Sequence, residues 1–532
     1  MAIKKTELYS SLWKSCDELR GGMDASQYKD YILVLLFVKY VSDKFKADPD
    51  SLIEVPEGGG FKDMVAAKNK EDIGDRINKI IEKLAEANGL KGVITITDFN
   101  SEEKLGKGKS MVDRLTKLIA IFEDKFDFGQ NRAEGDDILG DAYEYLMKNF
   151  ATQSGKSKGQ FYTPSEVSRI MAKVIGIDKA ESQYWTVYDP TAGSGSLLIK
   201  AADEAPNGEI TIFGQEKDNS TVALAKMNMI LHGHPTADLW QDDTLSNPYH
   251  KDAYGNLKRF HYAVANPPFS TKSWSNGFNP DEDLYNRFEF GIPPAKNGDY
   301  AFLLHLVKSL KSKGKGAIIL PHGVLFRGNR EAEIRENLIR RGFIKGIIAL
   351  PPNLFYGTGI PACIIVIDKE NSENRKGIFM IDAGKGFIKD GNKNRLRHQD
   401  IHKIVDVFNK QIEVPKYSRM VSVAEIEKNE YNLNIPRYID SQEAEDIQDI
   451  EAHLLGDIPN RDIDELEKYW QVFPSLKAEL FSPTDREKYS SLNVGQTEMK
   501  DSIYGNDEFD DYSNRIQNIF KQWRERWTPE LK

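Results

Sequence analysis

The sequence predicts an α/β protein: a doubly wound, mostly parallel, Rossmann-like sheet with an N-terminal helical domain and a C-terminal helical tail. Residues 1–155 carry apolar residues at mixed spacings of three and four, which is typical of amphipathic helices. In residues 156–440, short β-rich runs alternate with helical patterns, which indicates βαβ units. In residues 441–532 the strand signals fade and the remaining helical patterns are acidic. These shifts divide the chain into three predicted domains.

The composition is that of a globular protein with more than one core. The chain has 532 residues, of which 40% are hydrophobic and 29% are charged, and this length exceeds a single domain. Its longest apolar run, residues 31–38, is less than half of a membrane span and predicts a buried helix. The N-terminus has no signal-peptide pattern, and Cys16 and Cys363 are the only cysteines. We therefore expect a cytoplasmic protein with no membrane segment, disulfide framework or cysteine metal site.

The negative charge is concentrated at the C-terminal end. The net charge is −10, and residues 441–532 alone hold 21 acidic and 11 basic residues. This segment has the wrong sign to face DNA phosphates. A contact surface for a partner chain and a solvated helical appendage both remain open as interpretations.

A glycine-rich turn follows the first predicted strand, in the sequence VYDPTAGSGSLLIKAA. Gly193 and Gly195 allow the backbone to approach a ligand at a helix N-terminus. The third glycine of a dinucleotide fingerprint is missing, and the acidic Asp189 suits a ligand with a cationic part, such as the ammonium of S-adenosylmethionine. Glu216 ends the second strand, where Rossmann-like sites place an acceptor for ribose hydroxyls. We predict a nucleoside-cofactor site; a helix cap or a surface charge is the alternative for each acid.

The stretch VANPPFS, residues 264–270, ends the fourth predicted strand with a rigid corner. Its two prolines fix φ and donate no ladder hydrogen bond, so the strand stops there. We expect the Asn266 side-chain oxygen and the Pro267 carbonyl to accept the two protons of an exocyclic amine. Phe269 is then placed to stack on a base that has left the duplex. The alternative is a stiff turn with Phe269 in the core.

Several motifs in order resemble those of the amino-group DNA methyltransferases. They are D-P-x-x-G-x-G, N-P-P-F and Q-F-Y-T-P, with FEFGIPPAKNGDYAFLLH, LPHGVLFRG, ALPPNLFYGTGIPACIIVI and YNLNIPRYID. More specifically, the whole chain resembles the modification subunit (HsdM) of Type I restriction–modification systems. The resemblance covers the N-terminal helical region and nearly all of the sheet domain, and is weakest over the C-terminal tail.

The resemblance implies a role for each matching residue. Residues 160–165 resemble the segment that closes over the methionine end of the cofactor, Asp189 and residues 191–196 its cradle, and Glu216 its ribose acceptor. Asp243 resembles the acid that meets the cofactor's adenine, and Asp242 stands where the family commonly has glycine. The implied cofactor-binding residues are Gln160, Phe161, Tyr162, Thr163, Pro164, Ser165, Asp189, Thr191, Ala192, Gly193, Ser194, Gly195, Ser196, Glu216 and Asp243. The implied catalytic residues are Asn266, Pro267, Pro268 and Phe269.

The resemblance also implies a function. We expect methyl transfer from S-adenosylmethionine to N6 of a flipped adenine, since asparagine at the first position of the corner favours adenine over cytosine N4. The expected partners are double-stranded DNA, a separate HsdS-like specificity subunit, a second copy of the chain and an HsdR-like restriction subunit. We predict no metal site: His232 and His234 are assigned to a loop that ends a helix, and no Walker motif is present.

Two basic stretches are candidates for contacts with the DNA backbone near the flipped base. Residues 306–316 (LVKSLKSKGKG) fit a solvated surface equally well. Residues 385–398 (KGFIKDGNKNRLRH) favour DNA, and we predict that charge reversal at Lys393, Arg395 and Arg397 weakens DNA binding but spares cofactor binding.

Three alternatives use the same fold. N-P-P corners also serve methyltransferases that modify protein glutamine or RNA bases, which the large helical N-terminal region disfavours. A Rossmann-type oxidoreductase is a distant alternative, opposed by the missing third glycine. A non-catalytic scaffold is the least favoured, because no part of the expected pocket is missing.

Overall fold

The structure is a computed structural model that describes residues 5–20, 25–45, 51–125, 145–146, 163–355, 358–441 and 448–531. Contacts divide the chain into two units, Met1–Ser441 and Gln442–Lys532. The predicted boundary at residue 155 lies outside the described residues.

The helices of the first unit fall into a group before the sheet and a group within it. Those before it are α1 (Lys5–Arg20), α2 (Ala25–Lys44), α3 (Phe61–Ala66), α4 (Ile73–Asn88), α5 (Glu102–Leu105) and α6 (Lys109–Lys125). Those within it are α7 (Ser165–Val174), α8 (Ser196–Asp203), α9 (Asn219–Leu231), α10 (Asp299–Lys308), α11 (Arg330–Arg340), α12 (His398–Lys410) and α13 (Val423–Lys428).

The first eight strands of the first unit correspond to the predicted β-rich runs, whereas the last three were not predicted. The strands are β1 (Thr186–Asp189), β2 (Thr211–Glu216), β3 (Asp238–Gln241), β4 (Phe260–Ala265), β5 (Leu310–Pro321), β6 (Ile344–Ala349), β7 (Ala362–Asp368), β8 (Gly377–Asp382), β9 (Ile388–Asp390), β10 (Lys393–Arg395) and β11 (Ser418–Ser422). Strands β9 and β10 form a separate antiparallel hairpin.

The remaining nine strands form one sheet in the order β11-β8-β6-β7-β5-β4-β1-β2-β3. Strand β1 pairs in parallel with both β2 and β4, and β2–β3, β4–β5 and β6–β8 are parallel as well. Only the pairings of β7 and β11 are antiparallel within this sheet. The predicted doubly wound, mostly parallel sheet is confirmed. The chain reverses its direction of winding between β1 and β4, which is where open α/β sheets bind ligands.

Helices cover both faces of the sheet, and this explains its continuous apolar strands. In β6, Ile347 faces one core and Ile348 the other, as do Ile365 and Ile364 in β7. Side chains alternate along a strand, so a strand buried on both faces must be apolar throughout.

The apolar run at residues 31–38 lies in α2, and all of its residues are buried, as predicted. It shares a core with the apolar face of α9, which includes Leu224, Met227 and Leu231. The Tyr40 hydroxyl also donates to the Leu231 carbonyl at 3.3 Å. Within the described ranges, we find no helix whose length and apolar content would let it cross a membrane.

The second unit contains helices and one small sheet. Its helices are α14 (Ile450–Leu455), α15 (Asn460–Asp464), α16 (Glu467–Trp470), α17 (Pro474–Leu480), α18 (Met499–Tyr504) and α19 (Asp507–Leu531). Its strands β12 (Ile458–Pro459), β13 (Phe481–Pro483) and β14 (Tyr489–Leu492) pair antiparallel around β14. The helical character was predicted, whereas the three short strands were not.

Candidate active site

A cavity of about 630 Å³ opens where the carboxyl ends of β1, β2, β3 and β4 meet. This volume is typical of small-molecule sites. The residues that line it are Pro190, Thr191, Gly193, Glu216, Lys217, Asp218, Asp243, Thr244, Leu245, Asn266, Pro268, Thr271, Lys272, Ser273, Trp274, Asn276 and Phe302. The four strand ends therefore bring together six of the predicted site residues: Thr191, Gly193, Glu216, Asp243, Asn266 and Pro268.

The glycine turn leads from β1 into α8 in a conformation that favours glycine. Gly193 and Gly195 have φ of 54° and 79°, in the left-handed region that side chains disfavour. A Cβ on Gly195 would also lie 2.9 Å from the Met229 methyl carbon. The buried Asn228 of α9 donates to the Ser194 carbonyl at 2.9 Å. Thr191 and Gly193 thus face the cavity, while residues 194–196 pack behind them.

Asp189 lies beneath this turn, with only 1% of its surface exposed. Its carboxylate accepts from the Thr191 backbone N–H at 2.8 Å and the Thr191 hydroxyl at 3.3 Å. Burial raises the pKa of Asp189 to about 7, and these hydrogen bonds oppose that rise. Asp189 therefore shapes the turn from behind and does not itself line the cavity.

Glu216 ends β2 and faces the cavity. One carboxylate oxygen accepts from the Gly193 N–H at 3.0 Å, and the other from the Asp218 N–H at 3.0 Å. Burial raises the pKa of Glu216 despite these bonds. The carboxyl group thus links the turn after β1 to the end of β2.

Asp243 follows β3 and lines the same cavity. One carboxylate oxygen accepts from the Leu245 N–H at 2.9 Å, and the other pairs with Lys217 at 2.8 Å. Asp242 accepts from the Asp243 N–H at 2.7 Å and from the Asn247 side chain at 2.6 Å. The side chain of Asp242 therefore fixes the start of this loop.

The Asn-Pro-Pro-Phe corner begins directly after β4. The Asn266 side-chain N–H donates to the Thr163 hydroxyl at 3.0 Å, which leaves its carbonyl oxygen for another donor. Asn266 and Pro268 line the cavity, whereas Pro267 is buried and Phe269 is half-buried. The Phe269 ring meets the Phe355 ring edge-on, with centroids 6.1 Å apart.

The predicted cofactor segment 160–165 is described only in part. Gln160, Phe161 and Tyr162 lie outside the described residues. Thr163 is buried, Pro164 precedes α7 and Ser165 is its first residue. Through Thr163, the structure connects this segment to the Asn-Pro-Pro-Phe corner, a link that the sequence did not predict.

Asp299 supports the corner from α10, and sequence reasoning gave it no role. It is fully buried; one carboxylate oxygen accepts from the Ser270 N–H at 2.6 Å and the other pairs with Arg327 at 2.8 Å. Ser270 follows Phe269 directly and has a φ of 53°, so this bond holds an unfavourable backbone conformation. Asp299 and Arg327 lie in FEFGIPPAKNGDYAFLLH and LPHGVLFRG, two of the motifs that carry the family resemblance. Membership in these motifs was the sequence signal that could have identified them.

Arg287 is a second residue that sequence reasoning missed. Only 2% exposed, it pairs with Asp283 at 2.6 Å and donates to the carbonyls of Thr244 and Leu245 at 3.3 and 2.8 Å. It thus holds the loop after β3 that lines the cavity.

The two basic stretches lie in different places. Residues 310–316 begin β5, which is parallel to β4, so they lie at the end of the sheet opposite Asn266. That placement removes them from the surroundings of the cavity.

Lys393 and Arg395 lie on the β9–β10 hairpin, and Arg397 precedes α12. Arg395 pairs with Asp390 at 3.6 Å and Arg397 with Asp400 at 2.8 Å, yet their side chains are 46% and 40% exposed.

Comparison with known proteins identifies the family. A family model described as N-6 DNA methylase matches residues 134–447, and a model described as the HsdM N-terminal domain matches residues 8–122. A Type I restriction enzyme methylase subunit of Methanocaldococcus jannaschii, MjaVII, is 32% identical over 83% of this chain and 79% of its own. The chain belongs to the N-6 DNA methylase subunits of Type I restriction enzymes.

Further relatives agree with this assignment. The MpnII methylase subunit of Mycoplasma pneumoniae is 29% identical over 90% of this chain and 98% of its own. The crystal structure of a type I restriction–modification methyltransferase subunit from Streptococcus thermophilus is 32% identical, with a TM-score of 0.72 over 82% of this chain and all of that one. This methylase subunit is thus an adenine-specific DNA methyltransferase, and the alternative substrates and the oxidoreductase are not favoured.

Proposed function

We propose that this methylase subunit transfers the methyl group of S-adenosylmethionine to N6 of an adenine flipped out of double-stranded DNA. One observation carries the proposal: a single cavity joins the glycine turn, Glu216 and Asp243 to the Asn-Pro-Pro corner. Cofactor residues and target residues then meet within one site, as direct transfer between two bound molecules requires.

The residues present fit this cofactor. Gly193 offers a backbone without a side chain beside the cavity, and Glu216 and Asp243 offer carboxylates at the ends of two adjacent strands. We assign Glu216 to the ribose hydroxyls and Asp243 to the adenine of the cofactor. Asp189, close behind Thr191, favours a cationic ligand by charge. When bound, S-adenosylmethionine supplies a methyl group already activated on a sulfonium.

The target amine is oriented by the corner. An exocyclic amine is a weak nucleophile because its lone pair is delocalised into the ring. We assign the Asn266 side-chain oxygen and the Pro267 carbonyl as acceptors of its two N–H groups, which localises the lone pair towards the methyl group. Thr163 orients Asn266, because it accepts from the amide nitrogen and turns the amide oxygen away. The N6 proton leaves to solvent after transfer, so no general base is assigned.

We assign the DNA contacts to the edge of the sheet that carries the Asn-Pro-Pro-Phe corner. Phe269 is proposed to stack on the flipped base. Arg395 and Arg397, exposed on and beside the β9–β10 hairpin, are proposed to contact phosphates.

Sequence recognition is proposed to reside in another chain. The second unit holds the excess negative charge of the protein, which is unsuited to DNA phosphates. A specificity subunit would read the target, a second copy of this chain would complete the methyltransferase, and a restriction subunit would join the full complex. The acidic second unit is proposed as a surface for these partners.

The proposal is tested by identifying the product. Labelled S-adenosylmethionine and DNA are incubated with the subunit, with and without its specificity subunit, and the modified nucleoside is separated by chromatography. We expect N6-methyladenine, formed only with the specificity subunit present. Label in cytosine, or in protein or RNA in place of DNA, would contradict the proposal.

A further inference from the structure

The β9–β10 hairpin holds the loop that follows β6 through four hydrogen bonds. The Lys393 ammonium donates to the carbonyls of Phe355 and Thr358 at 2.7 and 3.1 Å. The Asn394 side chain donates to the Pro352 carbonyl at 2.6 Å, and its backbone N–H to the Asn353 carbonyl at 3.0 Å. Two adjacent residues of the hairpin therefore bind four carbonyls of one loop, which we call the β6 loop (residues 351–355 and 358–361).

These two hairpin residues point inward. Asn394 is 4% exposed, and burial lowers the pKa of the Lys393 ammonium. The next apolar residue, Leu396, is 2% exposed and shares a core with Leu354 and Phe355. A lysine that binds DNA phosphate keeps its ammonium solvated until DNA arrives. In Lys393, two of the three ammonium N–H groups already donate to carbonyls of the β6 loop.

The β6 loop in turn contacts the catalytic corner. The Phe355 ring, 5% exposed, packs edge-on against the Phe269 ring with an interplanar angle of 73°. Phe269 follows Pro268, which lines the cavity. A shift of the β6 loop would therefore move the aromatic ring that supports the corner.

We infer that Lys393 and Asn394 are positioning residues for methyl transfer: they fix the β6 loop so that Phe355 supports Phe269 beside the target base. This role rests on the proposed function, and it replaces the phosphate contact that the sequence suggests for Lys393. Arg395 and Arg397 keep their proposed contacts with phosphate.

The first test measures the β6 loop in the subunit alone. Lys393→Met and Asn394→Ala each remove donors to the loop, and Lys389→Met is the matched control, since Lys389 is an exposed lysine on the other strand of the same hairpin. Amide hydrogen exchange at Leu350, Asn353, Leu354 and Phe355, the residues of this segment that carry an amide hydrogen, should be about tenfold faster in the first two variants and unchanged in the control. Unchanged exchange in both Lys393→Met and Asn394→Ala would overturn the inference.

The second test separates positioning from phosphate binding. DNA affinity of the subunit assembled with its specificity subunit is measured against salt concentration, together with kcat. A lost phosphate contact reduces the slope of log affinity against log salt by about 0.9. We expect Lys393→Met to keep the wild-type slope and lower kcat, and Arg395→Gln to reduce the slope. A reduced slope in Lys393→Met, with wild-type kcat, would overturn the inference.

These results remain distinct from the proposed function. If the wild-type complex forms no N6-methyladenine, the proposed function fails, while hydrogen exchange in the free subunit still decides whether the hairpin holds the loop.

Discussion

Asp189 shows how burial sets the chemistry of one side chain at this site. Its carboxyl lies under the glycine turn, and burial raises its pKa to about 7. The protonated form is neutral and the ionised form attracts a cation, so the two forms differ in what they bind.

This pKa predicts a pH dependence of cofactor binding. A cationic cofactor favours the ionised carboxyl and lowers its pKa, so binding releases a proton and affinity rises as the pH increases through about 7. Between about pH 6 and about pH 8, the Kd for S-adenosylmethionine should fall by about tenfold. Calorimetric titration of S-adenosylmethionine into wild type and into Asp189→Asn, across this pH range, measures the change in Kd. If log Kd depends on pH equally in the two proteins, the pH dependence does not come from Asp189.

Individual site residues differ in how far the sequence predicts them. Glu216 and Asn266 were predicted because each follows a β-rich run, and the ends of parallel strands share one edge of a sheet. Asp299 was not predicted, because its partner Ser270 lies 29 residues away in sequence. The same holds for Arg287, whose partner Thr244 is 43 residues away. A contact between distant loops leaves no periodic signal in the chain.

At the scale of elements, α10 and the corner act together through Asp299. The carboxylate fixes the Ser270 N–H and pairs with Arg327, which also reaches Glu331 at 3.4 Å. The corner is therefore held both by its prolines and by a helix that begins 29 residues later.

We expect Asp299→Ala to misplace the corner and Asp299→Asn to preserve much of its position, because an amide oxygen still accepts from Ser270. Asp299→Ala should lower kcat by at least about tenfold, or ~1.4 kcal/mol, with an unchanged Kd for S-adenosylmethionine. It should also lower the free energy of unfolding by about 1–3 kcal/mol, measured by denaturant titration. Equal kcat in the alanine and asparagine variants would argue against a role for the Ser270 hydrogen bond.

The elements themselves were predictable where their pattern is strong. Strands such as β7 are buried along their whole length, and β7 is apolar up to its last residue, Asp368, because helices cover both faces of the sheet. The strands β12, β13 and β14 have two to four residues and mixed exposure, so neither length nor alternation distinguishes them from loops. The start of β5 was missed because its lysines, such as Lys311 and Lys313, are exposed.

At the scale of the whole molecule, α9 connects the N-terminal helices to the cavity. Its apolar face shares a core with α2, and its N-cap residue Asp218 lines the cavity. The helical region and the sheet therefore form one unit, Met1–Ser441, despite the change in sequence pattern between them. Apolar periodicity predicted each part, but it does not specify which surfaces of two parts pack together.

We propose that one cavity binds S-adenosylmethionine on one side and is completed on the other by the side-chain amide of Asn266. The most direct test is Asn266→Ala, with the Kd for S-adenosylmethionine measured by calorimetry and methyl transfer to DNA measured with the specificity subunit present. We expect a Kd within about twofold of wild type and a loss of transfer of about 10²–10³-fold, as for removal of one preorganised polar group. Transfer at the wild-type rate, or loss of cofactor binding together with transfer, would contradict it.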